Sequence, residues 1–175
     1  MRTIGAFVRL GWRERAGELL DFFMRYRRPP GWEQWAEVVW SDERAPHFIG
    51  DMPHTWVGSD FVRSVLDMFA YERERDSSLV IGAGLRLSWL AGPGVTVRDL
   101  RTRWGPLTYS LRGDGTRMTL RVEHGGLKVP AGGIALAAPG IDATWRATIN
   151  GAPATIGETG ELVVREAPAT VVLER

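Results

Sequence analysis

LTYSLRGDGTRMTLRV, residues 107–122, alternates apolar and polar side chains on both sides of a glycine-bearing break. Leu107, Tyr109 and Leu111 keep a period of two, and so do Met118, Leu120 and Val122, which is the side-chain period of a half-buried strand. Gly113-Asp114-Gly115 between them tolerates the positive φ that a tight reversal needs, so the stretch predicts a β-hairpin. Downstream, Trp145, Ala147 and Ile149 lead into Asn150-Gly151, the strongest two-residue hairpin signal. Leu162–Val164 and Val171–Leu173 then read as short strands that finish the chain. Upstream, the period of two begins at Ser78, and Val95, Val97 and Leu100 precede a turn. Gly82-Ala83-Gly84 marks another turn; it is not a dinucleotide fingerprint, because Leu87 stands where the third glycine belongs. About seven to nine short strands with Gly and Pro turns between them predict an antiparallel β-sandwich over residues 76–175.

Before residue 75 the composition is different, rich in Trp, Phe, Leu and Arg, and the pattern is helical. Thr3–Leu10 reads as a short helix closed by Gly11 at a left-handed position. Glu14–Arg27 carries Ala16, Leu19, Leu20, Phe23 and Met24 at spacings of three and four, with Arg25, Arg27 and Arg28 on the negative end of its dipole and Pro29-Pro30 as the stop. Trp32–Val39 has room for about two helical turns. Ser41–Pro53 reads as a loop. Thr55–Tyr71 is the strongest helix, with Val57, Phe61, Val65, Leu66, Met68 and Phe69 as its apolar stripe. The expected fold is α+β: an N-terminal helical segment, residues 1–75, packed on the sandwich.

The bulk numbers exclude several function classes. A chain of 175 residues holds one domain, or a helical unit plus one sandwich. Its formal net charge of +1 argues against nucleic acid or an acidic membrane as the main partner. Arg25-Tyr26-Arg27-Arg28 is explained by the helix terminus it occupies. With no cysteine there is no disulfide, thiolate zinc site or cysteine nucleophile. The apolar part of MRTIGAFVRL is interrupted by Arg9, too early for a signal peptide, and nothing reaches the roughly 18 apolar residues of a membrane span, so a cytoplasmic location is expected.

The stretch between Pro29 and Gly58 is where chemistry is expected. It holds Trp32, Trp35, Trp40 and Trp56, half of the eight tryptophans, together with Glu33, Glu37 and His54. A Trp face stacks on the C–H bonds of a pyranose while carboxylates bond its hydroxyls, a combination suited to sugars. The same rings at helical spacing also suit a core, and the two carboxylates, four residues apart, also suit a solvated face paired with arginine. His47, Asp51 and His54 form an H-x3-D-x2-H spacing. Without cysteine or a helical i, i+4 histidine pair, a hydrogen-bonded, half-buried His54 is the better reading, so neither a metal nor a cofactor is assigned.

The order of helices and then a glycine-rich sandwich resembles the end of an (α/α)6-barrel glycoside hydrolase. The likeness is to the α-L-rhamnosidase type and to bacterial proteins of coagulation factor 5/8 type. LGWRERAGELLDFFMRY is similar to the barrel's helical hairpins, Trp32-Glu33-Gln34-Trp35 resembles the family's Trp-Glu-x-Trp, and His54 with Gly58 resembles its Asn-His-x-x-x-Gly. Pro53 stands in place of that Asn. Val95–Pro130, INGAPATI and APATVVLER resemble the strands that cap such barrels. The resemblance implies inversion by two carboxylates held roughly 6.5–9.5 Å apart. Glu33 matches the general base, Trp32 and Trp35 would pack on the sugar, and His54 would bond a hydroxyl, with Glu37 and Trp56 beside them.

The family's general acid lies on an earlier helix, and a ring of twelve helices needs on the order of 300 residues. The expectation is therefore a non-catalytic C-terminal fragment with Glu33 as a vestigial base, Met1 marking a truncated frame or an excised piece. Such a chain would bind carbohydrate without hydrolysing it and would form a homo-oligomer through the exposed apolar faces of its helical segment. The rivals are a free-standing carbohydrate-binding module, with Trp89 or Trp104 exposed on a sheet face, and an interaction domain.

Overall fold

The computed structural model describes residues 1–27, 31–42, 44–45, 47 and 50–175. The chain is α+β and divides into two compact units, Met1–Asp67 and Met68–Arg175. The boundary falls inside the last turn of a helix, earlier than the change in composition near residue 75.

The first unit is helical. Helix α1 is Arg2–Arg9, α2 is Arg13–Arg25, and α3, which runs on across the boundary, is Thr55–Phe69. Gly11 sits at φ +77°, as the α1 stop requires. Helix α2 ends before Arg27, and the proline pair expected to stop it lies outside the described residues. α1 meets α3 through small and polar groups rather than through a stripe of large apolar ones. A Cβ on Gly5 would stand 2.9 Å from the Asp67 carboxylate and 3.3 Å from Ser64 Oγ, so glycine permits the approach. Arg9 then grips Asp67 with two bonds of 2.8 Å, and Ser64 Oγ donates to the Met1 carbonyl at 3.1 Å. Ser64 and Asp67 are consequently buried, whereas Leu66 of the expected apolar stripe is exposed.

The turns of helix expected over Trp32–Val39 do not form. Glu33 takes φ 53°, outside the right-handed helical region. Its backbone groups pair with another segment instead: Glu37 N–H donates to the Asp51 carbonyl at 3.3 Å, and the Trp35 carbonyl accepts from His54 N–H at 3.4 Å. Local periodicity has lost to pairing between two loop segments.

The second unit is the β-sandwich. Its strands are β1 Ala70–Arg73, β2 Ser78–Ile81, β3 Val95–Thr102, β4 Gly105–Gly113, β5 Arg117–Val122, β6 Ile134–Leu136, β7 Arg146–Ile149, β8 Ala152–Ala154, β9 Leu162–Val164 and β10 Ala169–Glu174. They form a four-stranded sheet ordered β1-β2-β6-β9 and a six-stranded sheet ordered β3-β4-β5-β10-β7-β8. Every pair is antiparallel except β2 with β6, where Leu79 faces Ile134. β2 and β6 are buried along their whole length, which is why they read as continuous apolar runs instead of alternating ones.

The core lies between the sheets. Leu79, Ile81, Ile134, Leu136, Leu162 and Val164 of one sheet pack against Leu107, Tyr109, Leu111, Leu120, Val171 and Leu173 of the other. The 107–122 hairpin forms as expected, with Leu111 opposite Leu120 and Gly113 opposite Met118. Asn150 and Gly151 both take positive φ, 51° and 83°, as a type I′ turn demands. Val95, Val97 and Leu100 break the period of two because β3 carries a bulge there; Asp99 adopts φ 52°, and its N–H donates to Thr108 Oγ1 at 3.0 Å.

Candidate functional site

Helix α2 ends in a cluster of rings. Phe22 and Tyr26, one turn apart, have centroids 4.7 Å apart, and Phe23 meets Phe22 edge-on at 5.5 Å. Trp35 closes over this end. Its Nε1–H donates at 2.8 Å to the carbonyl of Phe23, one of the helix-terminal acceptors without an i+4 partner, and its ring lies 4.5 Å from that of Phe61 on α3. Trp35 is therefore 9% exposed, half core and half wall. Phe22, Phe23, Tyr26, Trp35 and Trp40 line a cavity of about 170 Å³. Its polar lining among the described residues includes Glu37, Ser41 and Asp60.

The charges around the cavity are unevenly compensated. Asp60 accepts from Arg2 at 3.1 Å. Burial lowers the Met1 ammonium's pKa, with Asp60 pulling the other way and Arg2 adding to the depression. Among the described residues Glu37 has no such partner. Donor atoms of Glu37, Asp51 and His54 lie within 4.8 Å of one another. Among the described residues neither carboxylate makes an ion pair. Gly50, at φ +64°, allows this crowding, since a Cβ there would stand 2.8 Å from Glu37 Cβ and collide with its carboxylate.

His54 serves first as a helix cap. Its Nδ1 accepts from Val57 N–H at 3.4 Å, and its carbonyl accepts from Gly58 N–H at 3.1 Å. In the neutral ring the proton then rests on Nε2, which becomes a donor; while the cap holds, no imidazole lone pair is left for a metal. His47 meets Trp40 with ring centroids 4.1 Å apart, tilted by 40°, and stands outside the Glu37–Asp51–His54 group. The H-x3-D-x2-H spacing is thus not a ligand set.

The six residues expected in a sugar site do not all converge. Trp35 and Glu37 line the cavity, and His54 stands beside Glu37. Glu33 is ion-paired with Arg27 and 65% exposed. Trp32 and Trp56, at 59% and 64% exposure, do not line the cavity, and Trp56 lies under the Arg2 guanidinium at 5.8 Å. Trp89 and Trp104 are partly buried against the sandwich core, each with a guanidinium over its ring (Arg86 at 5.4 Å, Arg103 at 4.3 Å), so neither offers the bare sheet-face platform of a binding module. Phe22 and Tyr26 were not singled out from the sequence. Their signal was present, as FF-x-x-Y at the end of a helix puts three rings on one terminus.

No protein-family model matches the chain, and no curated protein or solved structure is significantly similar to it. No helix among the described residues is long and apolar enough to cross a membrane.

Proposed function

We propose that the chain is a non-catalytic sugar-binding segment of glycoside-hydrolase type, with the α2-end cavity as its sugar subsite. The observation that carries this reading is the wall of Trp35 and Trp40 with the Glu37 carboxylate beside it: aromatic faces for the ring's C–H bonds and an acceptor for its hydroxyls. The non-catalytic half of the reading rests on Glu33. A general base must approach a water in a sheltered site with its lone pairs unengaged, and this carboxylate is exposed and held by Arg27. Incubation with aryl rhamnosides is expected to give no turnover, while oligosaccharides quench tryptophan fluorescence. Turnover that Glu33→Gln abolishes would overturn the proposal, as would the absence of any quenching.

A second reading, compatible with the first, is self-association through the helical unit. It is favoured by an open groove of about 990 Å³ in which exposed Trp12 and Phe22 stand with half-buried Phe7 and Leu19 beside charged neighbours.

A further inference from the structure

We propose that Asn150 is a covalent modification site, one that deamidates by closing on the Gly151 backbone nitrogen, and that a latch formed by Glu166 and Thr170 holds the reaction in check. Asn150 is the sole asparagine of the chain, and the glycine after it has no side chain to shield its nitrogen. In the reaction that nitrogen loses its proton and attacks Cγ of Asn150. A C–N bond forms to close a five-membered succinimide, the bond from Cγ to Nδ2 breaks, and ammonia leaves with the proton. Water then opens the ring at either carbonyl, giving aspartate or, with the chain rerouted through the side chain, isoaspartate.

The fold opposes ring closure in two ways. Three bonds tie Asn150 across to the segment that leads into β10 instead of back along its own chain. Its N–H donates to the Thr170 carbonyl at 2.8 Å, its Oδ1 accepts from Thr170 N–H at 2.8 Å, and its Nδ2 donates to the Glu166 carboxylate at 2.6 Å. The Thr170 N–H polarises the Asn150 side-chain carbonyl, which favours attack, but the same bond fixes Cγ toward β10. The turn is the second restraint. Asn150 at φ 51° occupies the left-handed region, where ψ is about +47°, and ring closure has to swing ψ away from it. Latch and turn must therefore open together. Conversion is also one-way: a carboxylate at position 150 has no N–H to offer Glu166, so a bond becomes a contact between like charges. What loosens is the edge of the larger sheet, because Asn150-Gly151 joins β7 to its last strand, β8.

Peptide mass mapping of the whole chain, held warm at mildly alkaline pH, tests the idea. Cleavage after Arg146 and Arg165 releases residues 147–165, in which conversion of amide to acid reports Asn150 alone. Folded wild type should deamidate at least about tenfold more slowly than the same chain unfolded in urea, since only the locally opened fraction reacts. Glu166→Ala, at an exposed position, should raise the folded rate roughly three- to tenfold, the share of one such hydrogen bond, with far-UV circular dichroism unchanged. Glu166→Gln should stay near the wild-type rate, because its amide oxygen still accepts from Asn150 Nδ2. Equal rates in the folded and unfolded wild type, or no conversion in either, would overturn the proposal, and that comparison needs no variant to fold. Glu166→Ala as slow as wild type, or Glu166→Gln as fast as Glu166→Ala, would overturn the part given to Glu166.

Discussion

Arg73, at the end of β1, shows how much one side chain can hold. Its guanidinium makes two bonds to Glu161, of 2.7 and 2.9 Å, and one from Nε to Ser78 Oγ at 3.1 Å, and it also reaches Asp76. The side chain is 14% exposed, so these charge-assisted bonds are poorly screened, and its pKa is raised further by the Glu161 bonds against the cost of burial. Removing one partner leaves the other charged and partly buried, so Arg73→Ala should destabilise the sandwich by about 2–3 kcal/mol in urea unfolding. Asp76 supplies the pH dependence. Burial pushes its carboxyl upward, but bonds from Arg73 and Ser78 outweigh this and leave the pKa below the ordinary carboxylate value. A carboxyl depressed in the folded state stabilises above its unfolded pKa, and that contribution is lost as pH falls through the folded value. Asp76→Asn should therefore weaken the protein at neutral pH and flatten its stability below about pH 4, where acid titration of the wild type should show a decline. The Glu161 bonds were not readable beforehand, because Arg73 and Glu161 are brought together by sheet topology and not by spacing along the chain.

At the scale of elements, legibility followed the range of the interactions. The hairpins at Gly113–Gly115 and Asn150-Gly151 were plain because turn chemistry and side-chain alternation act within a few residues. The bulge between Val97 and Leu100 appeared only as a break in alternation, since it depends on Thr108 of the neighbouring strand. Trp32–Val39 was misread as helix because its periodicity is real while its hydrogen-bond partners lie at Asp51 and His54. Two of the six candidate site residues, Trp32 and Glu33, were lost with it: a helix would have set Glu33 beside Glu37, whereas the loop sends Glu33 to Arg27. Close backbone approaches are equally silent in sequence. At Gly84 a Cβ would stand 2.6 Å from Cα, and equally close to Cβ, of Met68, and the Gly84 N–H donates to the Met68 carbonyl at 3.0 Å. Backbone cannot yield as a side-chain tip can, so Gly84→Ala should cost about 2–3 kcal/mol. Gly92→Ala makes the comparison, because an added Cβ there meets nothing within 4 Å and its penalty comes from φ +62° alone, about 1 kcal/mol. Chemical denaturation of the two variants side by side checks the order.

For the whole molecule the question is what its apolar surface is for. The sandwich buries its large side chains between two sheets, but the helical unit leaves Trp12 and Phe22 exposed along one groove. Trp12 touches Phe7, with ring centroids 5.3 Å apart, so the exposed rings form a patch and not isolated side chains. Patches of this kind on soluble proteins mark association sites, and charged side chains at their edge set the register. Glu14, Arg15 and Glu18 line the same groove, offering both signs of charge, which is what a self-complementary two-fold contact needs. A second copy of the chain is the occupant proposed here. Light scattering across a concentration series should then show a dimer giving way to monomer on dilution. Trp12→Glu should shift that transition at least tenfold in concentration, because it would place an unpaired charge where a dimer would bury the ring. Trp56→Glu, an equally exposed tryptophan outside the groove, should leave it in place. A monomer at every concentration, or a dimer indifferent to Trp12→Glu, would assign the exposed rings to some other task.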